Sequence, residues 1–392
     1  MPSVPDTVCP ASPEELAETM RCASARGQTV ELAGHFTKRR MGGPARPADM
    51  TVSTSAMTRI RQYEPCDLTI SVEAGVSYGE LTRLLAENRQ MIPLDPPFAG
   101  TATIGGIIAC NSSGPRRRLY GTARDVVIGM QFATLEGKLV ESGGMVVKNV
   151  AGLDMGKLMI GSFGTLAAIA VVNFKLIPQP PCERTFRFTF AGLEEAITAR
   201  DAILKSPLDP AAIDLLNPPA AANIAAEIME SPAWVLAVRA GGNAAAIRRY
   251  QRDLAAMGAQ PVPVNEEAAF WGSVQEFTPA YLDTHPHGAV VRVSCTLKET
   301  KAVIETVPGP AMARAGSGVC YAYFAEFAQA AGFAQETARQ HGETVIEFAP
   351  EDCKEEAPLW PSPGQDLEIM RRIKLMFDPQ LLLNRGRLYN RI

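Results

Sequence analysis

The residues with most to offer chemistry lie at 101–125, TATIGGIIACNSSGPRRRLYGTARD, after a proline-rich approach, LDPPFAG (94–100). Glycines, small hydroxylated side chains and a run of arginines share one stretch. Backbone without side chains lets main-chain N–H groups approach a ligand closely, and several in succession form a concave anion-binding surface. Four stretches have this character: AGHFTKRRMGG (33–43), AGTATIGGIIACNSSGP (99–115), YGTARD (120–125) and GSFGTLAAI (161–169). Each alone reads as a tight turn between strands. Together they imply one long ligand with a phosphate centre, such as a dinucleotide. No G-x-G-x-x-G follows a strand and opens a helix with an acidic residue beyond it, and there is no Walker loop, so the pocket needs another architecture.

Other residues are open to two readings. Arg116, Arg117 and Arg118 could neutralise phosphate, face a partner, or form a solvated loop face. His285 and His287 would share one strand face and could ligate a metal, but Pro286 between them favours a loop. Arg292, in VVRVSC, could pair with a carboxylate substrate if it points inward with Val290 and Ser294, or lie on an exposed sheet face. The eight cysteines show no CxxC spacing, which argues for reduced packing residues and against a zinc site or iron–sulfur cluster.

Composition bounds the rest. With 392 residues, two domains are expected. A formal charge of −4 gives no field for a polyanion, so nucleic acid is not an expected partner. The longest apolar run, LMIGSFGTLAAIAVV (158–172), is too short and too glycine-broken to span a bilayer and reads as strand plus turn. The first residues lack a secretory pattern, and a cytoplasmic location is expected.

The elements that must position these loops alternate. Residues 12–27 read as a helix capped by Ser12, with Pro13 in its first turn, Glu15 three residues on and Gly27 closing it. Strands are expected at 29–34, 51–57 and 68–75, an amphipathic helix at 76–90, a hairpin over 126–144 turning at Glu136-Gly137, and a strand at 169–178. QPPCE (179–183) marks a boundary. Beyond it, helices at 193–206, near 219–230 and at 243–258, with strands at 234–241 and 288–299, point to an antiparallel sheet with helices on one face. Residues 366–388 read as a helix and a short apolar segment ending in NRGR. The fold class is α+β: α/β layering first, then a second α+β domain with an antiparallel sheet and helices.

DPPFAGTATIGGIIACNSSGPRRRLYGTARDVVIG, GGMVVKNVAGLDMGKLMIGSFGTL and the terminal FDPQLLLNRGR resemble the FAD-binding flavoproteins of the vanillyl-alcohol oxidase and p-cresol methylhydroxylase type, and within them the FAD-binding subunit of bacterial glycolate oxidase. The resemblance is strong over roughly 10–178, moderate over 345–392 and weak between. It implies an FAD-binding domain at 1–180 made of two α/β subdomains split near 50–60, a cap or substrate-type α+β domain at 181–345, and a C-terminal segment, 346–392, returning to the FAD domain. The isoalloxazine would face the second domain.

Carried onto this chain, the resemblance implies FAD contacts at Gly34, His35, Phe36, Thr37 and Lys38 for the pyrophosphate. Gly100, Thr101, Thr103, Ile104, Gly105 and Gly106 would line the diphosphate and ribityl chain, followed by Asn111, Ser112, Gly114, Gly121, Arg124 and Asp125. Gly164 and Ile169 would lie near the adenosine half. Lys374 and Arg387 could bring positive charge to the flavin N1–C2 edge or equally be helix-surface residues, and with Arg292 are the catalytic candidates. In place of the R-G-G-G-T-K of the family, the chain reads AGHFTK; a bulky residue at a position needing φ > 0 is strained. His35 reads as a loop histidine or phosphate donor, with a covalent flavin anchor as the lesser alternative. The implied activity is FAD-dependent oxidation of a small 2-hydroxy acid such as glycolate. The implied partners are a paralogous catalytic flavoprotein subunit and an iron–sulfur subunit passing electrons to the membrane quinone pool, which would make the chain peripheral to the membrane through them. The alternative is a flavin-binding or scaffold subunit without turnover.

Overall fold

The computed structural model describes residues 6–145, 154–225, 232–341 and 343–392. The KNVAG part of the motif GGMVVKNVAGLDMGKLMIGSFGTL, residues 148–152, lies outside them. The chain forms two compact units. The first takes the residues up to Ser112, Thr122–Gln179 and Ser362–Ile392; the second takes Ser113–Gly121 and Pro180–Pro361. No helix among the described residues is long and apolar enough to cross a membrane.

In the first unit, the helix Pro13–Ala25 begins as its sequence dictates. Ser12 Oγ accepts the N–H of Glu15 at 3.2 Å, satisfying one orphan donor of the first turn, and Glu15 Oε2 accepts the N–H of Ala11 at 2.8 Å, tying the residue before the cap to that turn. Gly27, at φ 63°, closes the C-terminus. Leu16 and Met20 are fully buried among Val30, Val52 and Ala170; burying each side chain stabilises the fold by about 1.5–3 kcal/mol. This helix is the crossover that parallel strands require: it links Asp6–Val8 to Val30–Ala33 in a three-stranded parallel sheet with Met50–Ser53 at its centre. Val30 also bridges Leu383, which brings the C-terminal segment to the sheet edge.

The second sheet of this unit is five-stranded and antiparallel, in the order Ile60–Glu64, Thr69–Glu73, Ala168–Lys175, Val127–Ala133, Leu139–Gly143. Its hairpin turns at Gly137, φ 79°. Two helices cover it. Tyr78–Glu87 is capped by Ser77 and buries Leu81 and Leu85. Ile104–Cys110 lies in the stretch read from sequence as loop. Each glycine in a helix costs about 1 kcal/mol relative to alanine, yet Ile104, Ile107 and Ile108 are fully buried in the core, and that burial outweighs the glycine penalty.

The second unit is one eight-stranded antiparallel sheet. Its first long strand, Cys182–Phe190, starts at the boundary sequence itself and pairs with Trp234–Gly242. Strands Ala212–Leu216, Ala311–Arg314, Val319–Phe324 and Glu343–Phe348 were not anticipated, and the strand expected over 288–299 is confined to Ala289–Ser294. Helices Leu193–Lys205, Ala244–Ala255, Thr300–Glu305 and Phe327–Gln340 pack on one face. The other face is also covered: Trp271 donates its indole N–H to Thr185 Oγ1 at 2.9 Å and Thr278 bonds the Tyr323 hydroxyl at 3.0 Å. The expectation of helices on one face alone is corrected. Ala212–Leu216 is buried at every position, as a strand covered on both sides must be.

Candidate functional site

Three separate stretches of the first unit meet around one cleft, enclosing about 1010 Å³ with its open mouth included. One wall is 30–39, which leaves the parallel sheet at Ala33; another is the helix carrying Gly105 and Gly106; the third is 163–169, entering the strand Ala168–Lys175. Asn384, Arg385 and Arg387 close the rim. Five of the lining side chains are cationic (Lys38, Arg39, Arg46, Arg385 and Arg387) and one, Glu31, is a carboxylate. Val30, Leu32, Phe163 and Ile169 supply apolar surface.

The glycines have defined tasks. A Cβ on Gly34 would collide with Thr103 Oγ1, so the first and second walls approach as closely as they do because residue 34 has no side chain. Thr103 is 2% exposed and its hydroxyl accepts the Gly106 N–H at 3.3 Å. Gly164, φ 68°, would put a Cβ 2.7 Å from Asn384 Nδ2. Three other residues at the cleft, Phe36 (φ 59°), Phe163 (φ 54°) and Asn384 (φ 39°), are also left-handed. For a phenylalanine that conformation costs roughly 1–2 kcal/mol, so the surrounding contacts must hold it there. Phe36 is 40% exposed and leaves the cleft open.

The expected site residues divide. Phe36, Thr37, Lys38, Gly105, Gly106, Gly164, Ile169 and Arg387 line the cleft, with Gly34 and Thr103 directly behind its walls. Ile104 points into the hydrophobic core. Gly100 and Thr101 are exposed and off the wall. His35 is exposed, its Nδ1 bonded to the Thr101 carbonyl at 2.8 Å, and is not on the wall. Asn111, at φ 49°, ends the helix, and its buried Oδ1 has no hydrogen-bond partner among the described residues; Ser112 follows, buried. Arg124 donates to Lys157 O, and Asp125 caps Thr122 at 2.8 Å, both away from the cleft. Gly114 and Gly121 fall in Ser113–Gly121, which belongs to the second unit.

The three catalytic candidates are committed elsewhere. Lys374 is 2% exposed and donates to Thr165 O (2.6 Å), Asp378 Oδ2 (2.6 Å) and Leu383 O (3.0 Å). An ammonium has three donors, so none remains for a flavin edge, and the expected catalytic placement of Lys374 is corrected to a structural one. Burial pushes its pKa down, against the pull of Asp378. Arg387 lines the cleft but donates to backbone carbonyls of 38–41. In the second unit, Arg292 shares a sheet face with Ser294, donates to its Oγ at 2.8 Å and pairs with Glu347 at 3.2 Å. Arg118 pairs with Asp209 at 2.7 Å in that unit. His285 follows the helix Phe277–Thr284 and stacks on Tyr281 at 4.1 Å; among the described residues no group of histidine, cysteine and acidic side chains could hold a metal ion.

Sequence reasoning missed Arg46, Arg385 and Asn384. The NRGR ending was visible, but nothing local ties it to a loop some 350 residues earlier in the chain.

Residues 6–143 match the family model described as FAD binding domain. The chain carries an FAD binding domain. That domain supplies the first two walls of the cleft, while the third wall and the rim lie beyond the match. The chain is 33% identical over 186 residues to glycolate oxidase subunit GlcE of Escherichia coli (strain K12), covering 47% of this chain and 52% of that protein. It is 28% identical over 218 residues to glycolate oxidase subunit GlcD of Bacillus subtilis (strain 168), covering 55% and 46%. The chain thus spans about half the length of these curated relatives in alignment. Its fold superposes on 4-ethylphenol oxidase from Gulosibacter chungangensis with a TM-score of 0.73 at 15% identity, over 97% of this chain and 88% of that one.

The cleft fits the FAD that the domain binds. The diphosphate of FAD needs cations and close backbone, and five cations with two glycine-bearing walls provide both. The apolar residues suit a flat aromatic ring system.

Proposed function

We propose that the first unit holds FAD in this cleft and that the chain serves in the oxidation of a small 2-hydroxy acid of the glycolate type, as one subunit of a multi-subunit glycolate oxidase. The observation that carries this reading is the meeting of Gly34, Gly105, Gly106 and Gly164 around a cleft with five lining cations. Lys38, 8% exposed, and Arg39, Arg46 and Arg385 would hold the diphosphate, with Arg387 bound to the backbone of 38–41 beside them. The backbone of 36–39 and of Gly105-Gly106 would lie against the cofactor, with Val30, Leu32 and Phe163 excluding water. Bound FAD would supply the two-electron acceptor for a hydroxy acid becoming a keto or aldehyde acid. The electrons would leave through a separate iron–sulfur partner beside a paralogous flavoprotein subunit.

A second reading keeps FAD and removes turnover: a non-catalytic flavin-binding subunit of the same complex. The engagement of Lys374, Arg387 and Arg292 in bonds to their own unit favours it. A visible spectrum of the purified chain, followed by anaerobic glycolate, separates the two. Bleaching of a flavin band supports oxidation by this chain, a stable yellow colour supports the carrier, and a colourless preparation that takes up no added FAD overturns both.

A further inference from the structure

The stretch 38–41 of the cleft loop contains Lys38, Arg39 and Arg40 and exposes three carbonyls that a single side chain gathers. Arg387 Nη1 donates to Arg39 O at 3.2 Å, and Nη2 donates to Lys38 O at 3.2 Å and Met41 O at 2.6 Å. Its guanidinium lies 5.9 Å from the Phe163 ring centroid, on the opposite wall. Arg387 is itself anchored in steps. Its carbonyl accepts the Gly43 N–H at 3.0 Å. Asn384 Oδ1 accepts the Leu32 N–H and its Nδ2 donates to Phe163 O, both at 2.6 Å. Asp378 accepts the N–H groups of Leu382 and Leu383 at 2.9 and 2.8 Å, and Lys374 ties the same turn to Thr165 O.

The bonds of this series that leave residues 374–387 reach the first wall at Leu32, Lys38 and Arg39, the loop beyond it at Met41 and Gly43, and the third wall at Phe163 and Thr165. We propose that residues 374–387 are the buckle of the FAD cleft, and that Arg387 is the positioning residue that fixes the backbone of 38–41 for the cofactor. Affinity for FAD is then set by a segment outside the matched FAD binding domain, which ends at residue 143. The inference rests on the reading that the cleft holds FAD. Its physical content is the guanidinium fork: Nη1 and Nη2 hold their donors at a fixed separation in one plane and so meet the three carbonyls at once, whereas an ammonium at this position offers its donors from a single atom on a flexible stem.

The test uses the full chain as wild type, Arg387→Lys and Arg387→Gln. Each is stripped of flavin, titrated with FAD by flavin fluorescence, melted thermally, and digested with limiting trypsin with and without FAD. Both variants should bind FAD at least about tenfold more weakly, in line with losing hydrogen bonds made by a charged group. Both should also be cut faster at Lys38–Arg40, at sites that FAD protects in the wild type. Wild-type affinity in Arg387→Lys would overturn the proposal, because charge alone would then suffice. Unchanged cutting at 38–40 would also overturn it, since a clamp must restrain that loop. If Arg387→Gln does not fold, Arg387→Lys carries the comparison alone. A wild-type chain that takes up no FAD would sink the cofactor reading, and the cleavage comparison would still decide whether Arg387 restrains the loop.

Discussion

The cleft of the first unit and the body of the second place positive charge differently. The cleft is lined by five cations and one carboxylate, whereas the second unit buries Arg200 and Arg314 against acids, as the first unit does Lys374 away from the cleft. Asp214 is fully buried and paired with Arg314 across neighbouring strands, and Arg200, 2% exposed, is held by Asp201 at 2.7 Å. Desolvated charge is tolerated when paired and hydrogen-bonded, so the second unit's ions are part of its packing. Cations around a cavity give it a field that favours an anionic ligand. On the proposed reading, the buried pairs serve stability and the cleft cations serve binding.

The largest expected effect comes from breaking a buried pair. Asp214→Ala leaves Arg314 desolvated without its carboxylate and should destabilise the second unit by about 3–5 kcal/mol, measured by denaturant unfolding. Arg46→Ala on the exposed rim of the cleft should change stability by less than about 0.5 kcal/mol while weakening FAD binding several-fold. Equal stability losses in the two variants would erase the distinction between the units.

A smaller effect sharpens the comparison by pH. Burial pushes the pKa values of Tyr250, Tyr281 and Tyr323 up in the second unit. A phenol whose folded pKa lies above its unfolded value keeps its proton in the native state. Its contribution is therefore full below about pH 10 and is lost as pH rises beyond, by up to about 1.4 kcal/mol per pH unit for each tyrosine. Lys374 in the first unit has the opposite sign: its folded pKa is depressed, so the native state sheds a proton first and gains stability as pH rises through the interval between its folded and unfolded values. Unfolding followed across this range should show the second unit weakening, with Tyr323→Phe reducing the slope. A slope that Tyr323→Phe leaves unchanged would remove that tyrosine from the account.

What the sequence made legible was local. The Ser12 cap, the Gly137 turn and the helices at 13–25 and 193–205 follow from neighbours a few residues apart. The helix Ile104–Cys110 was hidden because its glycines argue against helix, while the burial of its isoleucines depends on strands far away in sequence. In the second unit, Ala212–Leu216 and Val319–Phe324 have few polar residues to set an alternating pattern, since both sheet faces are covered. The glycine-bearing walls were readable from composition. The rim was not, because Asn384 gains its role from bonds to Leu32 and Phe163 across 352 and 221 residues of chain.

The most direct measurement is equilibrium titration of the flavin-free chain with FAD, comparing wild type with Gly106→Leu, which adds a side chain to a residue lining the cleft, its Cβ 3.2 Å from Thr103 Oγ1. One FAD per wild-type chain and none for a folded Gly106→Leu variant is the predicted result. A variant that binds FAD as the wild type does would place the cofactor somewhere other than this cleft and contradict the account.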